Sequence, residues 1–362
     1  MGAKAIKGKV LPIGVDLGTS ALKLAQLREL DGSHDLIASA SADVPPECWG
    51  EFRLRLEFWS KALAGLVRTG GFQGRECVLG VPAEATFVRH LRVPKGTGDS
   101  VDRAVLGELQ GKLPFPAADA EIRHVVAGEV LGDGEPRQEV IVVAVPRTTV
   151  LSLIRLAGRA RLDVVGVNVE AFAIVECFGR LFRRAADQKR AVLFIDMGQA
   201  STQVVLSHGS RVVFARNLPM GGAALDKAIA DDMGITPQRA AQLRQELAKA
   251  PDSAAPQEEL YGRLSGVLET LADELTQCIR YYESVFRNQG IERAIFLGGQ
   301  AHDKRLCQSV AQRLNLPAQI GDPLVRIGGG QGASPGGGLD RREPQPRWAV
   351  AVGLSLGSAQ AA

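Results

Sequence analysis

Asp16-Leu17-Gly18-Thr19-Ser20 closes an apolar strand with a carboxylate, a glycine and two hydroxyls. Asp196-Met197-Gly198-Gln199-Ala200-Ser201-Thr202 repeats that arrangement in the second half of the chain. In each stretch the glycine lets the backbone turn tightly and aim N–H groups at a phosphate, and the hydroxyls add donors. Lys23, just beyond the first turn, supplies a point charge. A carboxylate at such a place meets magnesium through water, because magnesium gives up its hydration shell reluctantly. Read alone, either stretch is a hairpin turn with an Asx-type bond. As a pair, each heading its own half, they predict two turns that face one triphosphate and its metal from opposite sides.

A third glycine turn, Leu297-Gly298-Gly299-Gln300-Ala301, lies after a short apolar strand and before a helix. Adjacent glycines let a flat ring approach the backbone, and the helix start adds its dipole. The residues alone read equally well as a plain strand-to-helix turn. Met220-Gly221-Gly222 leads into another helix and is open to the same two readings.

Around these turns, strands and helix-period segments interleave. Val10–Val15 and Ala21–Leu27 read as strands, then Phe52–Val67 as a helix and Cys77–Val81 as a short buried strand. Phe87–Val93, Ile122–Val130 and Glu139–Val145 alternate like strands, the last two flanking a polar turn at Gly132–Arg137. Val101–Leu113 is helical and stopped by Pro114. Thr149–Ala160 and Ala171–Arg183 read as helices with a strand, Val164–Val169, between them. After a linker at Arg183–Lys189, strands Ala191–Asp196 and Gln203–Ser207 repeat the strand–turn–strand opening and suggest an internal duplication. Thr236 with Pro237 starts a helix that runs to Ala250, and Asp252–Pro256 is a loop. One long helix is predicted over Leu260–Phe286, with a core-facing stripe through Leu264, Leu268, Leu271 and Leu275. A strand at Ala294–Leu297 and a helix at Lys304–Leu314 follow. Ile327–Pro346, rich in Gly and Pro, predicts a mobile loop, and Trp348–Leu356 a packed apolar helix.

Composition narrows the function classes. Over 362 residues, 43 basic side chains stand against 40 acidic ones, a net charge of +3, and aromatics make up 5%. So small an excess gives no whole-chain attraction for nucleic acid, and so few aromatics no base-stacking platform. Five scattered cysteines without a CxxC pair argue against a disulfide framework or zinc site and fit a reducing compartment. No signal peptide and no window of about 18 uncharged apolar residues is visible, so a soluble, cytoplasmic protein is expected.

The order phosphate turn, linking helix, phosphate turn, glycine turn resembles the actin, heat-shock chaperone and FtsA superfamily, and within it the PilM family of type IV pilus assembly proteins. Ile13-Gly14-Val15-Asp16-Leu17-Gly18-Thr19-Ser20-Ala21-Leu22-Lys23-Leu24 is similar to that family's opening, and Leu113-Pro114-Phe115-Pro116 to its Pro-Phe-Pro element. Val167-Asn168-Val169-Glu170-Ala171-Phe172-Ala173, Leu218-Pro219-Met220-Gly221-Gly222, Ile279-Arg280-Tyr281-Tyr282 and Ala349-Val350-Ala351-Val352-Gly353-Leu354 follow in family order. Gln300 departs from the pattern where the family has a third glycine. Gln199 and Ala200 replace smaller or hydroxyl-bearing residues, and the Gly328–Gly338 loop is longer.

The resemblance implies an α/β, actin-like (ribonuclease H-like) two-domain fold. It places a first domain over residues 11–183, with an inserted subdomain at about 87–148. The second domain spans 189–356 with its helical part at about 223–290. ATP and Mg2+ are the implied cofactors. Asp16 and Asp196 would face the metal through water. Gly18, Thr19, Ser20 and Lys23 would hold phosphates together with Gly198, Ser201 and Thr202. Gly222, Gly298 and Gly299 would line the nucleoside, and Glu170 falls where chaperone relatives orient an attacking water. ATPase activity would be slow at most. The implied function is a cytoplasmic scaffold of a type IV pilus or related type II secretion machine. It would dock the N-terminal tail of a PilN-like inner-membrane protein and so reach the membrane only through its partner. An actin-fold small-molecule kinase and an FtsA-like filament former are the alternatives. A kinase of this fold carries a zinc-binding cysteine cluster, which these cysteines do not form.

Overall fold

The structure, a computed structural model, describes residues 8–132, 134–182, 184, 187–248, 255–287, 289–329, 339 and 341–357. Along the chain β1 (Lys9–Val10), β2 (Ile13–Leu17), β3 (Ala21–Leu30) and β4 (Ser33–Asp43) lead to α1 (Phe52–Thr69) and β5 (Glu76–Val81). Then come β6 (Phe87–Pro94), α2 (Asp99–Leu109), β7 (Ala120–Gly132), β8 (Glu135–Pro146), α3 (Arg147–Arg159), β9 (Asp163–Val169) and α4 (Glu170–Gly179). The second half runs β10 (Ala191–Met197), β11 (Thr202–His208), β12 (Arg211–Leu218), α5 (Gly222–Met233), α6 (Pro237–Ala248), α7 (Ala255–Arg263) and α8 (Ser265–Val285). It ends with β13 (Ile291–Leu297), α9 (Lys304–Leu314), β14 (Ala318–Ile320), β15 (Ile327–Gly329) and α10 (Ala349–Leu356). Two compact units result: Met1–Pro82, Thr149–Phe178 and Gly321–Ala362 form one, Ala83–Thr148 and Gly179–Ile320 the other.

The first unit is built on a sheet of order β15-β4-β3-β2-β5-β9, with β1 also on β3. Strands β2, β3 and β4 form an antiparallel meander, whereas β5 pairs parallel to β2 and β9 parallel to β5. All five residues of β2 are buried, as expected of a central strand covered on both faces. One cover is α10, apolar all round and buried from Ala349 to Ser355. It approaches its neighbours closely through glycines. A Cβ on Gly14 of β2 would lie 2.1 Å from the Ala351 carbonyl oxygen, and one on Gly353 1.8 Å from that of Ala173 on α4. Ser355 Oγ donates to the Pro12 carbonyl at 2.8 Å and accepts the Leu27 N–H at 3.1 Å, which fixes the helix along the sheet.

The second unit repeats the scheme. Its sheet has the order β12-β11-β10-β13-β14, with β10, β11 and β12 antiparallel and β13 and β14 parallel. Position for position this matches β4-β3-β2-β5-β9, so the duplication suggested by the two turns extends to strand order and sense. The core joins Leu193, Ile195, Val204 and Leu206 of the sheet to Leu225, Ile229, Leu268 and Leu275 of the helices. The same unit carries a three-stranded antiparallel sheet, β6-β8-β7. Helix α2 covers it through Val101, Val105 and Leu109, packed on Leu91, Val93, Val140 and Val142.

Several expectations are corrected. Strand β4 is absent from the sequence reading because SHDLIASASAD is built largely of Ala, Ser and Asp rather than β-branched or aromatic residues; its pairing along β3 from Ser33 to Asp43 makes it a strand. Strand β12 was missed too, and it follows a tight turn at Gly209, where φ is +60°. The single helix predicted over Leu260–Phe286 is two, broken at Leu264 between Gly262 and Gly266, residues that weaken a helix interior. The Leu stripe survives, since Leu264 and Leu268 still donate to the carbonyls of Leu260 and Leu264 at 3.2 and 3.0 Å. The hairpin predicted at Gly132–Arg137 is tighter, with Gly132 already paired to Glu135. The predicted loop 327–346 begins as strand β15 on β4, and residues 330–338 and 340 lie outside the described residues. Of the predicted linker 183–189 and loop 252–256, residues 183, 185, 186 and 252–254 also lie outside them.

Candidate functional site

In the first unit the β2–β3 hairpin sets Asp16 directly opposite Lys23. Side chains opposite one another in an antiparallel ladder share a face. The two form an ion pair, Lys23 Nζ donating to Asp16 Oδ2, with both side chains about nine-tenths buried. The cation expected to await phosphate thus neutralises the adjoining carboxylate. Gly18 is required by the turn itself, because a Cβ there would stand 2.8 Å from the Ala21 carbonyl oxygen. Gly18, Thr19 and Ser20 are partly exposed at the strand end, and the Ser20 carbonyl accepts the Val44 N–H at 2.9 Å. This half of the candidate site is a tight, hydroxyl-bearing turn over a buried ion pair. Glu170 opens α4 immediately after β9 and is partly buried.

In the second unit the structure gathers most of the predicted positions at one end of the sheet. Asp196, next to last in β10, pairs with Leu297 of β13, so Gly298 follows against its carboxylate. A Cβ on Gly298 would lie 2.4 Å from Asp196 Oδ1, and its φ of +85° suits glycine alone. The second turn closes by Gly198 N–H donating to Ser201 O at 2.9 Å. Its carbonyls cap α5: Gly198 O accepts from Gly222 N–H at 2.9 Å and Gln199 O from Ala223 N–H at 2.8 Å. Thr202 is buried, and its hydroxyl donates to the Met220 carbonyl at 2.6 Å, fastening the turn to the segment before α5. Gly299 is exposed at the start of a short turn of helix.

Four side chains close a ring behind these glycines. Gln199 Nε2 donates to Asp226 Oδ2 at 3.0 Å, and Arg244 Nε donates to Asp226 Oδ1 at 2.9 Å. Arg244 Nη1 donates to Gln300 Oε1 at 2.6 Å, and Gln300 Nε2 donates to Gln199 Oε1 at 3.1 Å. Arginine only donates and carboxylate only accepts, so the buried ion pair dictates which way each amide points. The sequence reading noted Gln199 and Gln300 as departures from the family pattern but missed Asp226 and Arg244. Both lie inside helices, on α5 and α6, where a lone charged residue reads as a solvated face.

The second unit also contains the Tyr281-Tyr282 pair of α8. Tyr281 OH donates to Glu139 of β8 at 2.6 Å, and Glu139 also meets His90 Nδ1 at 3.0 Å and Arg92 Nε at 3.3 Å. Burial pushes the Glu139 carboxyl up, yet these bonds and the His90 and Arg92 charges hold it below its ordinary value. Tyr282, the next residue round the helix, instead packs on His208 with their polar atoms 2.8 Å apart.

A family model described as type IV pilus assembly protein PilM matches residues 14–359. The chain belongs to the PilM family. The solved PilM-PilN type IV pilus biogenesis complex includes a chain similar to this one at 22% identity and a TM-score of 0.77. That alignment covers 95% of this chain and 97% of the other. The ethanolamine utilization protein EutJ from Carboxydothermus hydrogenoformans is similar at 14% identity and a TM-score of 0.54, covering 96% of this chain and 89% of that one. At such identities both likenesses speak to the fold, and the fold of this PilM-family chain is the actin-like one. Among the described residues no helix is long and apolar enough to cross a membrane.

Proposed function

We propose that this PilM-family protein is an actin-like scaffold on the cytoplasmic side of a pilus machine. It docks the N-terminal peptide of a PilN-like inner-membrane protein and takes ATP with Mg2+ at the residues that the resemblance assigns to phosphate and metal. Family membership over residues 14–359 carries the reading. The likeness to a chain of the solved PilM-PilN complex supports it.

The segment between the two phosphate turns has the features of a peptide receptor. Strands β6 and β7 are the outer strands of the sheet β6-β8-β7, and an outer strand offers a row of backbone groups to an extended peptide. The Lys112-Leu113-Pro114-Phe115 segment follows α2 with Lys112 and Pro114 exposed. Titrating a PilN-like N-terminal peptide into the full chain should give a micromolar-range affinity, about −8 kcal/mol. Lys112→Glu with Phe115→Ala should weaken binding about tenfold or more and leave the melting temperature in place. No binding to the wild type, with or without ATP, would remove the scaffold reading.

For nucleotide, the phosphate end fits. Gly18 sits in a tight turn of the first unit and Gly198 in a hydrogen-bonded turn of the second, each with a carboxylate and hydroxyl residues nearby in sequence, and bound magnesium would supply charge neutralisation to a triphosphate. The nucleoside end is a different matter.

A further inference from the structure

We infer that the Gln199–Gln300 amide bridge closes the nucleoside end of this site, so that ligand is recognised by its phosphates with little discrimination among bases. The inference rests on the nucleotide reading above and deepens it.

Gly222, Gly298 and Gly299 are the positions assigned to the nucleoside, and all three lie in the second unit. The bridge covers the first of them. A Cβ added to Gly222 would meet Gln300 Nε2 at 2.3 Å and Gln199 Oε1 at 2.5 Å, so the two carboxamides rest directly on its backbone. A flat ring lying on Gly222 must take the same space. The bridge is not a loose contact. Gln199 is buried, Gln300 is partly buried, and each amide is held at its other end by the Arg244–Asp226 pair, whose side chains are 6% and 4% exposed. Flipping either amide would set a donor against Arg244 or an acceptor against Asp226. The four-membered ring therefore has one arrangement, with every amide oxygen and nitrogen in it partnered.

Opening it for a nucleoside breaks the amide–amide bond and leaves the two inner groups without partners, a loss that the incoming ring has to offset. The phosphate turns lose nothing, because their backbone bonds do not involve the two amides. A glycine at position 300, the residue the family pattern has there, would remove one of the two carboxamides on Gly222 and break the bridge that holds the other in place.

The test is calorimetric titration of the full chain with Mg2+-ATP, Mg2+-GTP and Mg2+-tripolyphosphate, for wild type, Gln300→Gly and Gln300→Ala. The three ligands should bind the wild type within about threefold of one another, and Gln300→Gly should tighten ATP about tenfold while leaving tripolyphosphate unchanged. Gln300→Ala keeps the backbone preference of an ordinary residue and should show the same direction if the glycine variant folds poorly. The inference is overturned if the wild type already binds ATP tenfold or more above tripolyphosphate and neither variant improves it. Absence of binding by all three ligands to all three proteins would instead remove the nucleotide reading itself.

Discussion

At the scale of single residues, Asp16 and Lys23 show what a ladder register adds to a motif. The resemblance assigns Asp16 to metal and Lys23 to phosphate; in the folded hairpin the two are also opposite partners in a buried ion pair. Removing one member of such a pair strands the other charge away from water, at about 3–5 kcal/mol. Asp16→Ala and Lys23→Ala are therefore each expected to lower stability by about 3 kcal/mol, and Asp16→Ala with Lys23→Met to recover most of it. Urea unfolding of the four proteins checks this; additive losses would return the pair to the surface. The symmetric placing of the two residues about the turn is visible in the sequence, but their burial is not.

His208 gives a second residue-scale expectation. Burial, with the Arg211 charge added, pushes its imidazole down to about 4. A histidine whose folded value lies below its unfolded one binds fewer protons when folded, so stability falls as pH drops through the window from about 6.5 to 4. Between pH 7 and pH 5 this residue alone should remove about 2 kcal/mol. His208→Gln, which retains a donor for Tyr282, should flatten that part of the pH profile. Equal slopes for the two proteins would show that His208 is not the sensor.

At the scale of elements, α8 joins two sheets of the second unit by consecutive tyrosines. Tyr281 reaches Glu139 in the three-stranded sheet, and Tyr282 turns toward His208 on β11. Glu139 is fully buried and held by three donors, so this sheet is anchored at one carboxylate. Glu139→Ala should cost about 3 kcal/mol by leaving His90, Arg92 and Tyr281 without their acceptor. Tyr281→Phe should cost about 1.5–3 kcal/mol, and the double variant far less than the sum. A double-mutant cycle by chemical denaturation reads the coupling, and a value near zero would refute the anchor. The tyrosine pair stands in the sequence as a family marker; what each ring touches became visible only with β8 and β11 in place.

At the scale of the whole molecule, the glycine turns were legible because their chemistry is local. A carboxylate, a glycine and hydroxyls at a strand end specify a tight turn whatever surrounds them, and their recurrence announced a duplicated sheet. Apolar run lengths gave the central strands β2, β5, β10 and β13, since a strand buried on both faces has to be apolar throughout. The family and its fold were legible from the order of motifs. Long-range contacts were not. Ala- and Ser-rich β4 is a strand because β3 pairs with it, and α10 packs on β2 and α4 because Gly14 and Gly353 let backbone meet backbone. The ring of Gln199, Asp226, Arg244 and Gln300 draws on residues separated by as many as 101 positions, and hydrogen bonding across such a distance leaves no periodic trace in the chain. Sequence by itself determined the turns, the core strands and the family; tertiary packing decided which charges pair, which polar segments become strands and what covers Gly222, because those depend on neighbours that only folding brings together.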